Sequence, residues 1–376
     1  MKEIPWDLEQ LQTEPSIEWL DRREPVHTLL YQGEPFSDID ATQVFAYYAT
    51  PGTLNSEPKL DQNLPAAVLV HGGGGTAFDQ WVEKWARAGY AAIAMDLKGG
   101  KPDGSRLADG GPKMDHPNIF HTISAEKTKH WCYHAVANVI CAHSLIRSFP
   151  EVDADRTAIT GISWGGFLTS IVSGLDHRFK ASVPVYGCGY IYKNGPWLAE
   201  FESMSDSDRQ CWIELYDPSQ YLGSCQTPTF FVNGTNDFAY LPDIYEQSYQ
   251  LVKGERNFQI TVEMGHGHHQ GWAPAEIELF LAQNLRDGAP LPTIEKPTVY
   301  QGQLRAQIST VTELRSANLH FTTDKEPYPN CKWETVSAEI IDQHITASVP
   351  STVCCLFLFT VEDERGAVVS SPFLFN

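Results

Sequence analysis

Three short stretches carry side chains suited to nucleophilic chemistry. Residues 159–166 read I-T-G-I-S-W-G-G, with Ser163 two residues after Gly161 and two before Gly165. G-x-S-x-G at the end of an apolar run is the spacing of a sharp strand-to-helix turn, where flanking side chains would collide with adjacent backbone. Residues 71–75 read H-G-G-G-G directly after the apolar run A-A-V-L-V. Consecutive glycines let main-chain N–H groups converge on a developing oxyanion. The third stretch, E-M-G-H-G-H-H-Q-G-W, holds His266, His268 and His269, and G-T-N-D-F upstream of it holds Asp237.

A serine hydroxyl is a poor nucleophile at neutral pH. It needs an imidazole to take its proton, and the imidazole needs a carboxylate to orient it and stabilise its charge. The chain order Ser, Asp, His is met by Ser163, Asp237 and one of the three histidines. His266 is the expected base, being nearest the strand end and flanked by Gly265 and Gly267, which leave its ring free to swing toward Ser163. The expected oxyanion donors are the amide of Trp164, first residue of the following helix, and that of Gly73 or Gly74. Asp176, Asp217 and Asp243 compete with Asp237, but Asp217 and Asp243 lie away from a strand end and read as caps or surface charges. H-x-H-H could hold a metal, yet a serine with its own base has no need of zinc. No metal or other cofactor is expected. Nor does a G-K-[ST] ending make the glycine run a phosphate loop.

Such groups need a rigid scaffold, and the hydropathy pattern supplies one. Strand patterns at 43–50, 66–70, 91–95, 157–162, 181–186, 229–233 and 258–262 alternate with helical spacing at 78–88, about 129–149, from Trp164, 242–252 and 275–285. Continuous apolar runs such as A-A-V-L-V are typical of strands buried on both faces. The alternation predicts an α/β fold with a doubly wound, mostly parallel sheet, whose ligands meet the loops at the carboxyl ends of the strands. The first forty residues show no long periodic pattern. After the proline-rich G-A-P-L-P-T-I-E-K-P the texture changes to short alternating runs parted by turns. The expected division is therefore a catalytic domain over 1–289 and a small β-sandwich over 290–376.

Composition narrows the function classes. Formal charge is −20, from 47 acids against 27 bases, and such a surface repels phosphate backbones and anionic lipid. Neither nucleic acid nor membrane is an expected partner, and anionic ligands are disfavoured at the glycine loop. The N-terminus lacks the apolar core of a signal peptide, so a cytoplasmic location is expected. Eight cysteines without C-x-x-C spacing read as buried thiols in a reducing compartment. Cys354 and Cys355, adjacent in a strand pattern, should point to opposite faces and share no metal.

The runs H-G-G-G-G-T-A-F-D-Q-W-V-E-K-W-A-R-A-G-Y-A-A-I-A-M-D-L, V-D-A-D-R-T-A-I-T-G-I-S-W-G-G, V-P-V-Y-G-C-G and M-G-H-G-H-H-Q-G-W together resemble the α/β-hydrolase superfamily. Within it they are similar to bacterial dienelactone-hydrolase-like and acetyl xylan esterase-like proteins, close to the prolyl oligopeptidase catalytic domain. The likeness spans about residues 26–285 and implies Ser163 as nucleophile, Asp237 as acid and His266 as base. The later L-H-F-T-T-D and W-E-T-V-S-A resemble a C-terminal β domain of some such proteins. No β-propeller precedes the hydrolase region, which weakens a peptidase reading.

The expected activity is a serine carboxylesterase acting on small acyl esters, acetyl groups on carbohydrate among them, through an acyl-enzyme. A peptidase or amidase is the alternative within the fold, and a hydrolase-fold binding protein with a vestigial site is the alternative outside catalysis. The long insertion from Gly99 to His130 follows a strand's carboxyl end and is a candidate roof. Tyr186, Trp197 and Trp272 are candidate pocket aromatics. His134 and His143 read as ordinary helix-face residues.

Overall fold

The structure is a computed structural model that describes residues 4–349 and 356–376. Cys354 and Cys355 lie outside the described residues. A 14-stranded sheet forms the spine. Its first strands in chain order are β1 (Ile17–Asp21), β2 (His27–Gln32), β3 (Gln43–Ala49), β4 (Leu64–Val70), β5 (Ala91–Met95), β6 (Val152–Ile162), β7 (Ala181–Val185), β8 (Thr229–Gly234) and β9 (Arg256–Thr261). In space they run β1-β2-β3-β5-β4-β6-β7-β8-β9. The strands β5, β4, β6, β7, β8 and β9 are mutually parallel, and β1, β2 and β3 form an antiparallel edge.

Strand β4 lies between β5 and β6, so the chain turns one way after β4 and the other way after β5. Right-handed crossovers then put the two connecting helices on opposite faces of the sheet. Helices Asp79–Arg87 and Ala275–Leu285 cover one face, bridged where Arg286 donates to Ala88 O at 2.8 Å. Helices Trp131–Ser148 and Trp164–Ser173 cover the other. Every residue of β4, β5 and β7 is buried, which is why these strands read as unbroken apolar runs.

The strand patterns of the sequence fall on observed strands with ends moved by a few residues. The hairpin β1–β2 was hidden by short strands whose alternate side chains are only half covered. After Pro290 the chain is antiparallel. One sheet is built from β10 (Thr293–Ile294), β11 (Thr298–Tyr300), β12 (Gln303–Ser309), β15 (Glu339–Ile341) and β16 (His344–Ser348). The other strands, β13 (Leu314–Thr322), β14 (Glu334–Ser337), β17 (Leu356–Asp363), β18 (Val368–Ser370) and β19 (Leu374–Phe375), extend the main sheet. Leu304, Ala306 and Ile308 share one apolar core with Leu319, Phe359 and Val361. The join to the parallel sheet is narrow: Ser370 pairs with Phe258, and Ser370 Oγ accepts from the Ile260 N–H at 2.9 Å.

Cys132, Cys141, Cys188 and Cys225 are buried thiols. Among the described residues no helix is long and apolar enough to cross a membrane, and no group of three or more His, Cys, Asp or Glu is placed to hold a metal ion.

Helix Trp131–Ser148 has no exposed face over Trp131–Ile146, so its histidines are core residues rather than surface ones. His143 is fully buried, stacked on Phe179 with 3.5 Å between ring centroids. Its Nδ1–H donates to Asp176 Oδ2 and its Nε2 accepts from the Thr157 hydroxyl, both at 2.8 Å. Arg178 donates to both Asp176 oxygens at 2.7 Å, so the carboxylate's charge is already balanced. Burial pushes the His143 imidazole down from 6.5 to about 4. The unfolded chain therefore binds a proton that the folded one refuses, and stability falls as pH drops from 6.5 to about 4. The thermal midpoint is expected to decline across that window, with this residue costing on the order of 3 kcal/mol at the acid end. His143→Gln, which keeps a donor for Asp176 and cannot ionise, should flatten part of the slope; an identical slope in this variant would show that the group does not titrate.

Candidate active site

The parallel strands deliver three loops to one place. Val70 of β4 pairs with Gly161 of β6, so the H-G-G-G-G loop and the I-S-W-G-G turn leave the sheet side by side. Ser163 closes the turn with φ 59° and ψ −120°, a left-handed conformation unusual for a residue with a Cβ. Such a backbone costs about 1–3 kcal/mol and is held by its surroundings. Here the Ser163 N–H donates to Val185 O, and its C=O accepts the first bond of the helix, from the Phe167 N–H, each at 2.9 Å. The flanking glycines are needed for closeness. A Cβ on Gly161 would lie 2.2 Å from Gly165 O, and one on Gly165 would lie 2.0 Å from Val70 O.

The loop after β8 carries Asp237. Its Oδ1 accepts from the N–H groups of Ala239 and Tyr240 at 2.8 Å each, which fixes the carboxylate and leaves Oδ2 directed elsewhere. The loop after β9 carries His266. Its Nδ1–H donates to Asp237 Oδ2 at 2.6 Å, and its Nε2 accepts from the Ser163 hydroxyl at 2.9 Å. The carboxylate is buried and the imidazole nearly so, with 12% of its side chain exposed. Water therefore reaches the ring edge but not the Asp–His bond. Ser163, His266 and Asp237 form one continuous hydrogen-bonded series able to move a proton off the hydroxyl.

The other two histidines are engaged elsewhere. His268 Nε2 accepts from the Gly72 N–H at 3.0 Å. Burial, followed by neighbouring charges, pushes this ring down to about 4, so it stays neutral and keeps the lone pair that the amide uses. His269 packs edge-on against Trp272, with centroids 4.8 Å apart. The competing acids are also engaged: Asp176 with His143 and Arg178, Asp217 as acceptor for the N–H groups of Tyr190 and Ser219, and Asp243 with the Asn194 amide.

His71 sets the glycine loop. Its Nε2 accepts from the Leu97 N–H at 3.0 Å, so Nδ1 bears the hydrogen and donates to Gly72 O at 2.8 Å. A trans peptide places N–H opposite C=O, which turns the Gly73 N–H away from the His71 ring. Gly73 and Gly74 line a cavity of about 400 Å³ together with Ser163, Trp164 and His266. The Trp164 amide, at the first helical position, has no intrahelical acceptor.

Met114, Asp115, His116 and Ile119 of the long insertion line the same cavity, so this segment walls the site. His116 and His121 hold Glu200 at 2.8 Å each, tying the insertion to helix Leu198–Ser203. Trp197 lines the cavity, its ring 5.0 Å from that of Trp164. Tyr186 and Trp272 do not line it. Tyr186 is fully buried behind His266, stacked on its ring at 4.6 Å and donating its hydroxyl to Gly265 O at 2.9 Å. Trp272 packs against Phe78 and Trp81 beneath the glycine loop.

Residue spacing did not point to three further contributors. Phe238 is 56% exposed at the cavity mouth, with its ring 4.9 Å from that of His266. Asn236 donates its side-chain amide to the carbonyls of Cys331 at 2.7 Å, Pro329 at 3.2 Å and Tyr328 at 3.3 Å, anchoring the Asp237 loop to the C-terminal strands. The Thr235 hydroxyl donates to Asn236 Oδ1 and accepts from the Glu263 N–H, linking the Asp237 and His266 loops. The one available signal was the polar T-N-D run at a strand end.

A parallel sheet wound on both faces, with a serine turn after β6 and an acid and a histidine after later strands, defines an α/β hydrolase. Residues 7–217, more than half of the chain, match the family model described as "Acetyl xylan esterase (AXE1)". The protein belongs to the acetyl xylan esterase AXE1 family. Residues 199–327 match a second model, "PhoPQ-activated pathogenicity-related protein". Among solved structures, the acetyl xylan esterase from Paenibacillus sp. R4 is 19% identical with a TM-score of 0.59, over 75% of this chain and 96% of that one. Acetyl xylan esterase 1 from Thermoanaerobacterium sp. JW/SL YS485 is 17% identical with a TM-score of 0.56, over 75% and 95%. At these identities the likeness is one of fold. A curated relative, the "Uncharacterized peptidase YuxL" of Bacillus subtilis (strain 168), is 23% identical over an alignment of 236 residues that covers 56% of this chain and 31% of the relative. The chain thus covers less than a third of that relative's length.

The crowding around the serine turn yields a contrast in stability. Gly165→Ala forces a Cβ onto the Val70 and His71 carbonyl oxygens, at 2.0 and 2.7 Å, and should destabilise by about 3 kcal/mol or more. Gly74→Ala meets nothing within 4 Å and should change stability by less than about 0.5 kcal/mol. Chemical denaturation of both variants measures the difference; similar midpoints would show that the turn can open.

Proposed function

We propose that this protein is a serine carboxylesterase that removes small acyl groups, acetyl above all, from carbohydrate esters. The observation that carries this reading is the unbroken Ser163–His266–Asp237 hydrogen-bond series, at 2.9 and 2.6 Å, opening into an apolar-walled cavity. Ser163 Oγ attacks the ester carbonyl while His266 Nε2 takes its proton. Asp237, neutralised only by two amides and the imidazole, stabilises the imidazolium that forms. The tetrahedral oxygen is received by the N–H groups of Trp164 and Gly73. Its collapse expels the alcohol, which takes the proton from His266, and leaves an acyl-serine. A water deprotonated by His266 then releases the acid and restores the hydroxyl.

Acyl size follows from the walls. Trp164, Trp197, Met114 and Ile119 narrow the cavity, which favours acetyl over longer chains. Membership of the AXE1 family supports a carbohydrate ester as substrate. The YuxL likeness supports a peptidase or amidase less well, since it covers under a third of that protein. We take residues 1–289 as the catalytic domain and 290–376 as an accessory β domain, a division supported by the change to antiparallel strands at Thr293.

Ser163→Ala is expected to lower p-nitrophenyl acetate hydrolysis by about six orders of magnitude and to abolish labelling by a fluorophosphonate probe. Undiminished turnover in this variant would refute the assignment, and faster cleavage of a matched anilide than of the ester would favour the amidase. Trp197→Ala should raise the butyrate-to-acetate ratio of kcat/KM by about tenfold, because each added methylene then finds room; an unchanged ratio would place the acyl group elsewhere.

A further inference from the structure

Beside the catalytic cavity, and sharing Gly74, Met114 and Asp115 with it, lies a hollow of about 520 Å³ between the glycine loop and the insertion. Its lining includes Lys98, Lys101, Arg106 and Lys113. Four cations on one hollow is an anomaly in a chain of 376 residues with only 27 bases and a net charge of −20. None of the four lies within 4 Å of a carboxylate among the described residues.

Two carboxylates, Asp96 and Asp115, also line the hollow, and the amides and hydroxyls that bond them fix their place without removing their charge, so the cations exceed them by two. Asp96 is buried, and its oxygens accept from the N–H groups of Lys98 and Gly100, at 2.8 and 2.9 Å, and from the Thr76 hydroxyl at 3.2 Å. Asp115 caps its own turn by accepting from the Asn118 N–H at 3.0 Å, and Asp103 is bonded to the Ser105 N–H and hydroxyl. Arg106 donates to the carbonyls of Lys98 and Gly111, which fixes the guanidinium in place without neutralising it. With four cations against two carboxylates, the concave lining carries an excess of positive charge, which repels itself and focuses a positive potential there. An anion in the hollow relieves that repulsion.

We propose that the alcohol half of the substrate carries an anionic group, a carboxylate of the uronic-acid kind, and that this hollow receives it. The inference rests on the esterase reading of the adjoining cavity. With the acyl group against Trp164 and Trp197, the rest of an oligomeric alcohol extends past Gly74 and Met114 into the hollow. Lys98 and Lys113 carry their charges on flexible four-carbon stems, which suit a carboxylate whose position varies between sugars, whereas Arg106, held by two carbonyls, contributes field alone.

The test separates binding from turnover. The unmodified protein is titrated calorimetrically with two disaccharides that carry no ester, one bearing a single uronic acid and the other its neutral alcohol analogue. At low ionic strength the acidic sugar should bind about tenfold tighter, and the gap should close as salt shortens the screening length below ~10 Å. Lys98→Met combined with Lys113→Met should erase the gap, whereas Lys59→Met, remote from the hollow and paired with Glu57, should preserve it. Equal affinities for the two sugars, or a gap that survives the double substitution, would overturn the proposal. Turnover of p-nitrophenyl acetate by the same preparation reports on the esterase reading separately, since neither disaccharide contains an ester to cleave.

Discussion

At Gly165 the main chain passes so close to the end of β4 that a Cβ would lie 2.0 Å from the Val70 carbonyl oxygen. The rest of the site depends on that approach. It forces a glycine at 165 and another at 161, tightens the turn until Ser163 adopts φ 59°, and brings the helix N-terminus against the glycine loop. The strain at one residue is held by regular structure on both sides: the parallel ladder below and the first helical bond above. A loosely packed turn would let the serine relax and carry its hydroxyl away from the imidazole.

The groups around this turn are held by a shell of ordinary contacts whose directions matter more than their energies. His71 and His268 grip the two sides of Gly72, one at its carbonyl and one at its N–H, and so orient the loop that faces Ser163. Tyr186 and Phe238 flank the His266 ring. Asn236 reaches into the C-terminal strands, so the loop bearing Asp237 is anchored by carbonyls more than ninety residues further along the chain. In this arrangement the β strands after Pro290 help position the candidate acid. Loops place chemistry well only when something rigid holds them, and here that support is spread over the whole chain.

Net charge illustrates how a global quantity can mislead about a local one. A total of −20 describes the potential far from the surface. It says little about a hollow whose lining holds four cations against two carboxylates and where, among the described residues, no ion pair joins them. The distribution follows from how the insertion folds back on itself through Arg106, which its composition does not reveal.

Much of the scaffold was legible because burial on both faces leaves a strong mark: β4, β5 and β7 are unbroken apolar runs, and the G-x-S-x-G and H-G-G-G-G stretches follow strand ends directly. The β1–β2 hairpin was not legible, since half-covered short strands leave weak alternation. Nor were the core roles of His134 and His143, because a helix buried all round looks like an amphipathic one wherever polar residues pair inside. Local sterics and hydropathy act over a few neighbours, so the residue types at each strand end could be read directly from the chain. How His268 and His269 are occupied, which aromatics face the cavity and where the basic side chains gather emerge once distant segments pack together. Those outcomes depend on hydrogen bonds and packing between segments as much as 196 residues apart, beyond the reach of local sterics.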